Sequence, residues 1–348
     1  MNTLRTIAPQ TDPAWAELMR GPQGSGFGAP PWLAAIADTY DFDISARVIT
    51  DDDSGAVAGF TYAELDDFRG HRLISAPFCD YLDPVVDSQD QWRELVDPLI
   101  ERELPLQLRV LNCRPPRQDQ RFTQVNELAW HDTDLTKDEE QHFASLNRRA
   151  RQNIRYSDRQ GVEIRIGSDI DMVRKFHELH CSTRKRRHSL LAQPVSFFEN
   201  IWAHFAPIDG IVIALAEYEG EVIAGSLNLV WGDVWYHKFS ASNGDFLHLK
   251  PNEALAWRCM RVARERGLTS YDWGVSDLDQ PGLIEYKRKF ASDERIVTVL
   301  RHIPEGWADP HAAEAGRVLG ELTEVLTRPD VPDDATQRAG EILYRYFT

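Results

Sequence analysis

Residues 211–239, IVIALAEYEGEVIAGSLNLVWGDVWYHKF, decide the fold. Apolar side chains dominate three segments, 211–218, 222–230 and 234–239, and short turns separate them at Glu219-Gly220 and Gly232-Asp233. Tight glycine-containing turns between apolar segments of this length are typical of β-hairpins. The stretch therefore predicts three consecutive antiparallel strands.

Helices and further strands are predicted on both sides of these strands. Pro251 stands where the first turn of a helix accepts proline, and a helical pattern runs over 252–266 until Gly267. Strands are predicted over 269–273 and 295–302. Before residue 211 the pattern predicts one basic helix over 137–160, a strand over 162–166, and helices over 170–186 and 196–205.

The first half of the chain repeats this kind of unit. Helices are predicted over 12–19, 32–40 and 88–103, and strands over 44–50, 56–64, 72–76, 106–111 and 123–131. An acidic turn, 51–55, joins the first two strands. In each half the second strand of a hairpin has a glycine in its middle, Gly59 and Gly225. Such a glycine usually marks a bulge or a close approach of another backbone.

The repeat favours duplication over one large sheet. We therefore predict an α/β (α+β layered) protein with two tandem domains, over residues 1–136 and 137–310. Each is expected to have a mixed, mostly antiparallel sheet flanked by helices. A helical tail is predicted over 311–348.

Composition narrows the function. The net charge of −16 argues against a DNA-binding protein, although residues 147–190 carry 12 Lys and Arg against 5 Asp and Glu. No apolar stretch is long enough to span a membrane, and the first 15 residues lack a signal-peptide core, so we expect a cytoplasmic protein. The four cysteines have no metal-site spacing, so we expect free thiols and no metal.

Six motifs in the second half carry a resemblance to a known family. They occur in the family's order over roughly 150 residues. They are Leu146-Asn147-Arg148-Arg149 with Asn153-Ile154-Arg155, Leu179-His180 with Thr183 to His188, Trp235 to Ala241, Leu249 to Leu255, Tyr271-Asp272-Trp273-Gly274, and Tyr286-Lys287-Arg288-Lys289-Phe290. Together they resemble the FemABX-like and BioF2-like (CelD-like) branch of the GNAT superfamily.

The resemblance implies two GNAT-like domains, with a donor held where two central strands splay apart. Fem-type members transfer an aminoacyl group from aminoacyl-tRNA to a peptidoglycan-precursor amine, whereas BioF2-like relatives are assumed to use acyl-CoA. The donor stays open here. Residues 248–254 lack the glycine loop of acetyl-CoA enzymes, and Pro251 removes an amide donor. The net charge, in contrast, disfavours tRNA. We expect no tightly bound cofactor.

The resemblance places a functional lysine at Lys287. An ammonium there could hold a donor phosphate or the developing oxyanion, and its alternative is a solvated lysine in a charged run. Asp272, at the end of a strand, is the second catalytic candidate, because a desolvated carboxylate could accept the amine proton. Its more common role would be a loop cap or an ion pair.

Two further sets of candidates follow. Donor-binding candidates are Tyr286, Lys287, Lys238 and Asn252, the last at a helix N-terminus that favours an anion. Acceptor-binding candidates comprise two arginines at a helix end, suited to carboxylate or phosphate, one strand tyrosine and two loop residues. They are Arg184, Arg187, Tyr236, Asp80 and Tyr81. Tyr236 and Lys238 alternate along one strand and are expected to share a face.

The sequence therefore predicts an amide-forming N-acyltransferase. It would move an acyl or aminoacyl group from acyl-CoA or aminoacyl-tRNA to an amine of a cell-wall precursor, polysaccharide or specialised metabolite. Two alternatives stay open. One is a conventional acetyl-CoA-dependent N-acetyltransferase of a small molecule, and the other is a non-catalytic ligand-binding protein on a GNAT scaffold. The expected partners are the amine substrate and, with an aminoacyl donor, tRNA, without DNA or a membrane span.

Overall fold

The computed structural model describes residues 3–51, 55–307 and 312–348. Within these ranges the chain forms twelve strands. They are β1 (Thr3–Ile7), β2 (Asp43–Asp51), β3 (Gly55–Asp67), β4 (Gly70–Ile74), β5 (Leu106–Val110), β6 (Thr123–Asp134), β7 (Glu163–Gly167), β8 (Ile211–Tyr218), β9 (Glu221–Trp231), β10 (Val234–Ser242), β11 (Ser270–Asp277) and β12 (Asp293–His302).

Twelve α-helices accompany the strands in the same described ranges. They are α1 (Pro13–Arg20), α2 (Pro30–Tyr40), α3 (Gln89–Ile100), α4 (Arg114–Gln118), α5 (Glu139–Ser145), α6 (Arg148–Arg159), α7 (Ile170–His188), α8 (Val195–Phe205), α9 (Pro251–Glu265), α10 (Pro281–Arg288), α11 (Ala312–Leu326) and α12 (Asp333–Leu343). None of these described helices is both long and apolar enough to cross a membrane.

The three consecutive strands predicted from residues 211–239 are confirmed as β8, β9 and β10. At the first turn Tyr218 pairs with Glu221, and both intervening residues, Glu219 and Gly220, have left-handed backbones with φ of 50° and 85°. Two positive φ values are the signature of the type I′ turn, whose twist matches that of the strands it joins. Local turn chemistry therefore explains this part of the fold.

Side chains of β8 alternate between two cores. Ile213 and Leu215 belong to a core shared with α7 and α8, whereas Val212 and Ala214 belong to a core shared with α6 and α9. A strand buried on both faces reads as a continuous apolar run, as residues 211–216 do. The second half is thus a sheet covered by helices on both sides.

The α/β fold with a mixed, mostly antiparallel sheet is confirmed, but the expectation of two sheets rather than one large sheet is wrong. All twelve described strands form one sheet in the order β1-β2-β3-β4-β5-β12-β6-β11-β10-β9-β8-β7. β12, the last strand in sequence, lies between β5 and β6, and β6 pairs with β11. Each half thereby covers a sheet edge of the other, and edges left open are prone to pair with other chains.

The predicted domain boundary at 136/137 divides the sequence, but strands from both sides of it belong to one sheet. The predicted boundary at 310/311 lies outside the described residues, as do residues 52–54 of the predicted acidic turn. The single helix predicted over 137–160 is wrong. It divides into α5 and α6, because Asn147 caps α6 by accepting a hydrogen bond from the Arg149 N–H (2.8 Å). β1, α4 and α10 were not predicted.

The two strand glycines lie where helices approach the sheet closely. A Cβ on Gly59 would lie 2.9 Å from both Leu18 Cδ1 and Trp15 Cζ3 of α1, and a Cβ on Gly225 would lie 3.1 Å from Phe176 Cδ2 of α7. Both distances are shorter than ordinary carbon contacts. A tight contact is therefore present at both glycines, but the nearest atoms belong to side chains and not to another backbone as expected.

We expect Gly59→Ala to lower the free energy of unfolding by about 1–3 kcal/mol, because the added methyl overpacks the contact with α1. Urea unfolding followed by circular dichroism measures the change. Gly244→Ala is the matched control, since a Cβ there meets nothing within 4 Å. Equal unfolding midpoints for the two variants would contradict the close packing of α1.

Candidate active site

The site begins where two neighbouring strands separate. β10 and β11 pair in parallel only over residues 234–236 and 270–272. Beyond that point β10 continues with β9, and β11 continues with β6. Both of these pairings shift register there, between His237 and Phe239 and between Asp272 and Val275. Bulges of this kind bend strands and are common beside active sites.

A cavity of about 410 Å³ lies at this separation. Its walls come from the two diverging strands, α10, the segment between α7 and α8 (Gln193), the first half of the chain and the tail. The principal lining residues are His237, Lys238 and Phe239 of β10, Trp273 and Val275 of β11, Tyr286 and Lys287 of α10, Phe78, Asp80 and Arg109 of the first half, and Tyr344 and Phe347 of the tail.

Lys287 satisfies backbone groups that the separation leaves unpaired. The side chain is buried (5% exposed), and its Nζ donates to the carbonyl oxygens of Gly274 (3.1 Å) and Val275 (2.9 Å). An ammonium has three N–H bonds, so one remains for a ligand. Lys287 can therefore hold the strand and an anionic group at the same time.

Asp80 reaches the same strand from the first half. Its carboxylate accepts from Lys238 Nζ (2.5 Å) and from the Val275 N–H (3.2 Å). Gly274 has φ of +64°, and a Cβ there would lie 2.1 Å from Asp80 Oδ2. Glycine is thus required at 274 both by its backbone conformation and by the approach of Asp80.

Burial and charge act in opposite directions on these groups. Burial lowers the pKa of Lys287 to about 8, and the nearby carboxylates of Asp80 and Asp272 limit the drop. Burial acts to raise the pKa of Asp80, but Lys238 and Lys287 outweigh it, so that pKa lies below its usual value. At neutral pH the cavity therefore carries a charged Lys287 and an ionised Asp80.

His237 adds a neutral imidazole. Asn228 donates its Nδ2 protons to Val212 O (3.1 Å) and Ser226 Oγ (2.9 Å), so its Oδ1 faces His237 Nδ1 at 3.1 Å. Because that oxygen only accepts, it favours the ring proton on Nδ1, which leaves Nε2 as an acceptor. The Tyr271 hydroxyl, 3.0 Å from Nδ1, is the second partner of that nitrogen. Burial, with Lys287 nearby, lowers the pKa of His237 to about 3, so the ring stays neutral.

Four of the predicted site residues meet in the cavity: Asp80, Lys238, Tyr286 and Lys287. Asp272 and Tyr81 lie behind it. Asp272 is 1% exposed and accepts hydrogen bonds from the Tyr81 hydroxyl (2.8 Å) and the Gly274 N–H (2.6 Å). Burial raises the pKa of Asp272 to about 6, although those two hydrogen bonds act to lower it. Its contacts are those of a residue that fixes the loop at 274.

The other predicted residues do not line this cavity. The Tyr236 hydroxyl accepts from the Gly26 N–H (2.9 Å) inside the core, and the Asn252 carbonyl accepts from the Tyr286 hydroxyl (3.1 Å). At the end of α7, Arg184 donates to Leu191 O (3.0 Å) and Arg187 to Ser242 Oγ (3.4 Å). Asn252 thus supports Tyr286, whereas the two arginines lie apart from Lys287.

The sequence missed several lining residues. Tyr236 and Lys238 do share a face, since both lie against Phe27. His237 points to the opposite face and still lines the cavity, because the cleft opens between the strands. Because His237 lies between two candidate residues, Tyr236 and Lys238, the sequence could have indicated it as a candidate. Arg109, which donates to Cys79 O (3.1 Å), and the tail aromatics gave no local signal.

The N-terminus of α9 already contains an anion. Glu253, in its first turn, is 7% exposed, and its carboxylate accepts from Asn153 Nδ2 (2.8 Å) and Lys289 Nζ (3.1 Å). A helix N-terminus favours one negative charge, and here the chain supplies it. This arrangement leaves little attraction for a pyrophosphate at that helix end.

Comparison with known proteins agrees with this geometry. Residues 144–288 match a family model described as an acetyltransferase (GNAT) domain. The fold is similar to a crystal structure of FemX, with a TM-score of 0.67 and 15% identity over 91% of this chain and 99% of that one. It is also similar to L-PGS from Bacillus licheniformis, with a TM-score of 0.54 and 12% identity over 92% of this chain and 99% of that one.

Curated relatives match a shorter stretch. A lipid II:glycine glycyltransferase of Staphylococcus epidermidis is 36% identical over 64 residues, which is 18% of this chain and 15% of the relative. The Staphylococcus aureus protein of the same name is 36% identical over 61 residues, or 18% and 14%. The match thus spans about 15% of the length of these relatives. Residues 144–288 are thus similar to a GNAT acetyltransferase domain, the fold is similar to that of FemX, and a short stretch is similar to lipid II:glycine glycyltransferases.

Proposed function

We propose that this protein is an amide-forming acyltransferase that moves an aminoacyl group from aminoacyl-tRNA to an amine of a cell-wall precursor. The observation that carries the proposal is Lys287, a buried ammonium with one free N–H at the strand separation. The glycyltransferase relatives, named for lipid II and glycine, support the precursor amine and the aminoacyl group.

The reaction needs stabilisation of negative charge and a path for one proton. The amine nitrogen bonds to the acyl carbon, the bond from that carbon to the donor oxygen breaks, and the amine proton ends on the leaving oxygen. Lys287 would stabilise the oxyanion through its free N–H. His237, a neutral acceptor at Nε2, would accept a hydrogen bond from an N–H of the attacking amine and so orient its lone pair toward the acyl carbon.

Two features favour tRNA over CoA as the donor carrier. Glu253 fills the helix end at which conventional acetyl-CoA enzymes bind pyrophosphate. A groove of about 550 Å³ along α5 and α6 is lined by two arginines, two glutamates and two aromatic rings: Arg151, Arg155, Glu139, Glu140, Phe143 and Trp257. The Arg155 guanidinium lies 5.2 Å from the centre of the Phe143 ring. Aromatic and guanidinium faces of this kind can stack on unpaired bases, such as those of a tRNA acceptor end.

We expect Lys287→Ala to lower kcat by about 100- to 1,000-fold, because removing one oxyanion donor typically costs that much. Transfer of a radiolabelled amino acid from charged tRNA to muramyl pentapeptide measures the rate. Arg288→Ala is the neighbouring control, since its side chain is half exposed and pairs with Glu285 and Glu294. Equal losses of kcat in both variants would show that Lys287 has no specific role in the reaction.

We expect Asp80→Asn to lower the pKa of Lys287 below about 8, since a carboxylate that favours the ammonium is lost. Carbon-13 NMR of ε-labelled lysine over a pH series follows the titration, and Lys287→Ala assigns the signal. Asp245→Asn, an exposed substitution, should leave the titration unchanged. A Lys287 pKa that stays the same or rises in Asp80→Asn would contradict the described charge network.

The donor assignment predicts that a charged tRNA mixture supports transfer to muramyl pentapeptide and that acetyl-CoA does not. Binding of the tRNA should weaken steeply with added salt, because phosphate contacts release counterions. Thermal-shift measurements with acetyl-CoA and with tRNA test binding separately from turnover. Stabilisation by acetyl-CoA together with inertness toward charged tRNA would overturn the aminoacyl donor and leave the acyl-CoA alternative.

A further inference from the structure

The second part of the tail (residues 331–348, after α11) begins at α7, in the second half of the chain. Lys185 of α7 is 6% exposed, and its Nζ donates to Val331 O (2.6 Å) and to Asp333 Oδ1 (2.7 Å). Arg186 binds the second oxygen of Asp333 at 3.1 Å. A buried ammonium with two partners is expensive to separate from them, so this end of the tail is firmly held.

The middle of the tail approaches the rest of the chain closely at Gly340. A Cβ on Gly340 of α12 would lie 2.3 Å from the Ala192 carbonyl oxygen. The ring of Tyr344 then lies 5.6 Å from the ring of Phe78, which belongs to the first half and lines the cavity. The tail has thus crossed from one half of the chain to the other.

The end of the tail is fixed to the turn between β3 and β4. The ring of Tyr346 lies 4.5 Å from the ring of Phe68, and Arg69 donates to the Tyr346 carbonyl oxygen at 2.6 Å. Arg72 donates to the Thr348 hydroxyl at 2.9 Å. The tail is therefore anchored in both halves, with the candidate cavity between its anchors.

Two tail aromatics face the cavity and one faces away. Tyr344 and Phe347 line it, and Phe347 also lines an adjoining space of about 70 Å³ together with Phe78, Cys79 and Arg109. Phe347 is 38% exposed, so it stands at the rim. Tyr346 packs on Phe68 instead. Residues outside the matched GNAT domain thus complete the cavity.

We propose that the tail is a wall of the cavity and that Tyr344 and Phe347 limit the size of the molecules that enter it. They act as specificity-determining residues for the acceptor, a part of the inference that rests on the proposed function. The wall itself does not depend on that function. A large acceptor must displace these two side chains, whereas a small acceptor passes them.

Cys79 gives a direct measure of access. Cys79 lines the cavity and is 3% exposed, and its thiol donates to the Ala76 carbonyl oxygen. The full chain is treated at fixed pH with iodoacetamide, a small reagent, and with fluorescein-5-maleimide, a large one, and each cysteine is quantified by mass spectrometry. In Tyr344→Ala/Phe347→Ala, labelling of Cys79 by the large reagent should rise about tenfold or more, since entry no longer requires local opening.

A control cysteine and a control variant distinguish entry of the reagent into the cavity from unfolding of the chain. Cys259 is fully buried in the core shared with α9, so its labelling should not change. Ile342→Ala removes a tail side chain that is 52% exposed and does not line the cavity, and it should leave Cys79 labelling at the wild-type rate. A similar rise in Ile342→Ala and in the double variant, or no rise in either, would contradict the proposal that the tail is a wall of the cavity.

The labelling needs no transfer activity, so it distinguishes the two proposals. If the double variant admits the large reagent while the wild-type chain transfers nothing, the wall stands and the proposed function fails. If the wild-type chain transfers and the double variant excludes the large reagent, the proposed function stands and the tail has no part in size selection.

Discussion

The separation of β10 from β11 is the constraint on which the site depends. Two parallel strands that part leave N–H and C=O groups without ladder partners, and buried backbone groups must find others. Here side chains supply them: Lys287 donates to the carbonyls of Gly274 and Val275, and the carboxylates of Asp272 and Asp80 accept the two N–H groups. The groups that hold the cleft open are therefore the charged groups that face or underlie the cavity.

This arrangement needs both halves of the chain. Asp80 comes from the first half, and its partner Lys238 comes from the second, with 6% of its side chain exposed. Breaking a buried pair of this kind leaves an uncompensated charge and is strongly destabilising. The exchange of β6 and β12 within one sheet fixes the halves relative to each other. The interlocked sheet thus keeps Asp80 at the strand separation.

The sequence predicted what local chemistry determines. The hairpin at Glu219-Gly220 and the helix after Pro251 follow from turn and cap preferences, and the glycines at 59 and 225 signal close packing. It could not predict that β12 inserts between β5 and β6, because pairing over more than 160 residues has no local signal. For the same reason Lys287 and Asp80 were recognised separately, while Arg109, Tyr344 and Phe347 were missed. Side-chain alternation along β10 correctly predicted that Tyr236 and Lys238 share a face. It could not predict that only Lys238 lines the cavity, because that depends on where the strands diverge.

The charges of the site also bear on how a donor is held. In the first turn of α9, Glu253 satisfies the helix end with the chain's own carboxylate, supported by Asn153 and Lys289. Among the described residues that line the cavity, Lys238 is paired with Asp80, whereas Lys287 and Arg109 bind only backbone carbonyls. A cation bound to carbonyls keeps its charge for another partner, because a carbonyl dipole does not neutralise it. The attraction for an anionic group has therefore moved from the helix end to the strand separation, where the acyl group would react.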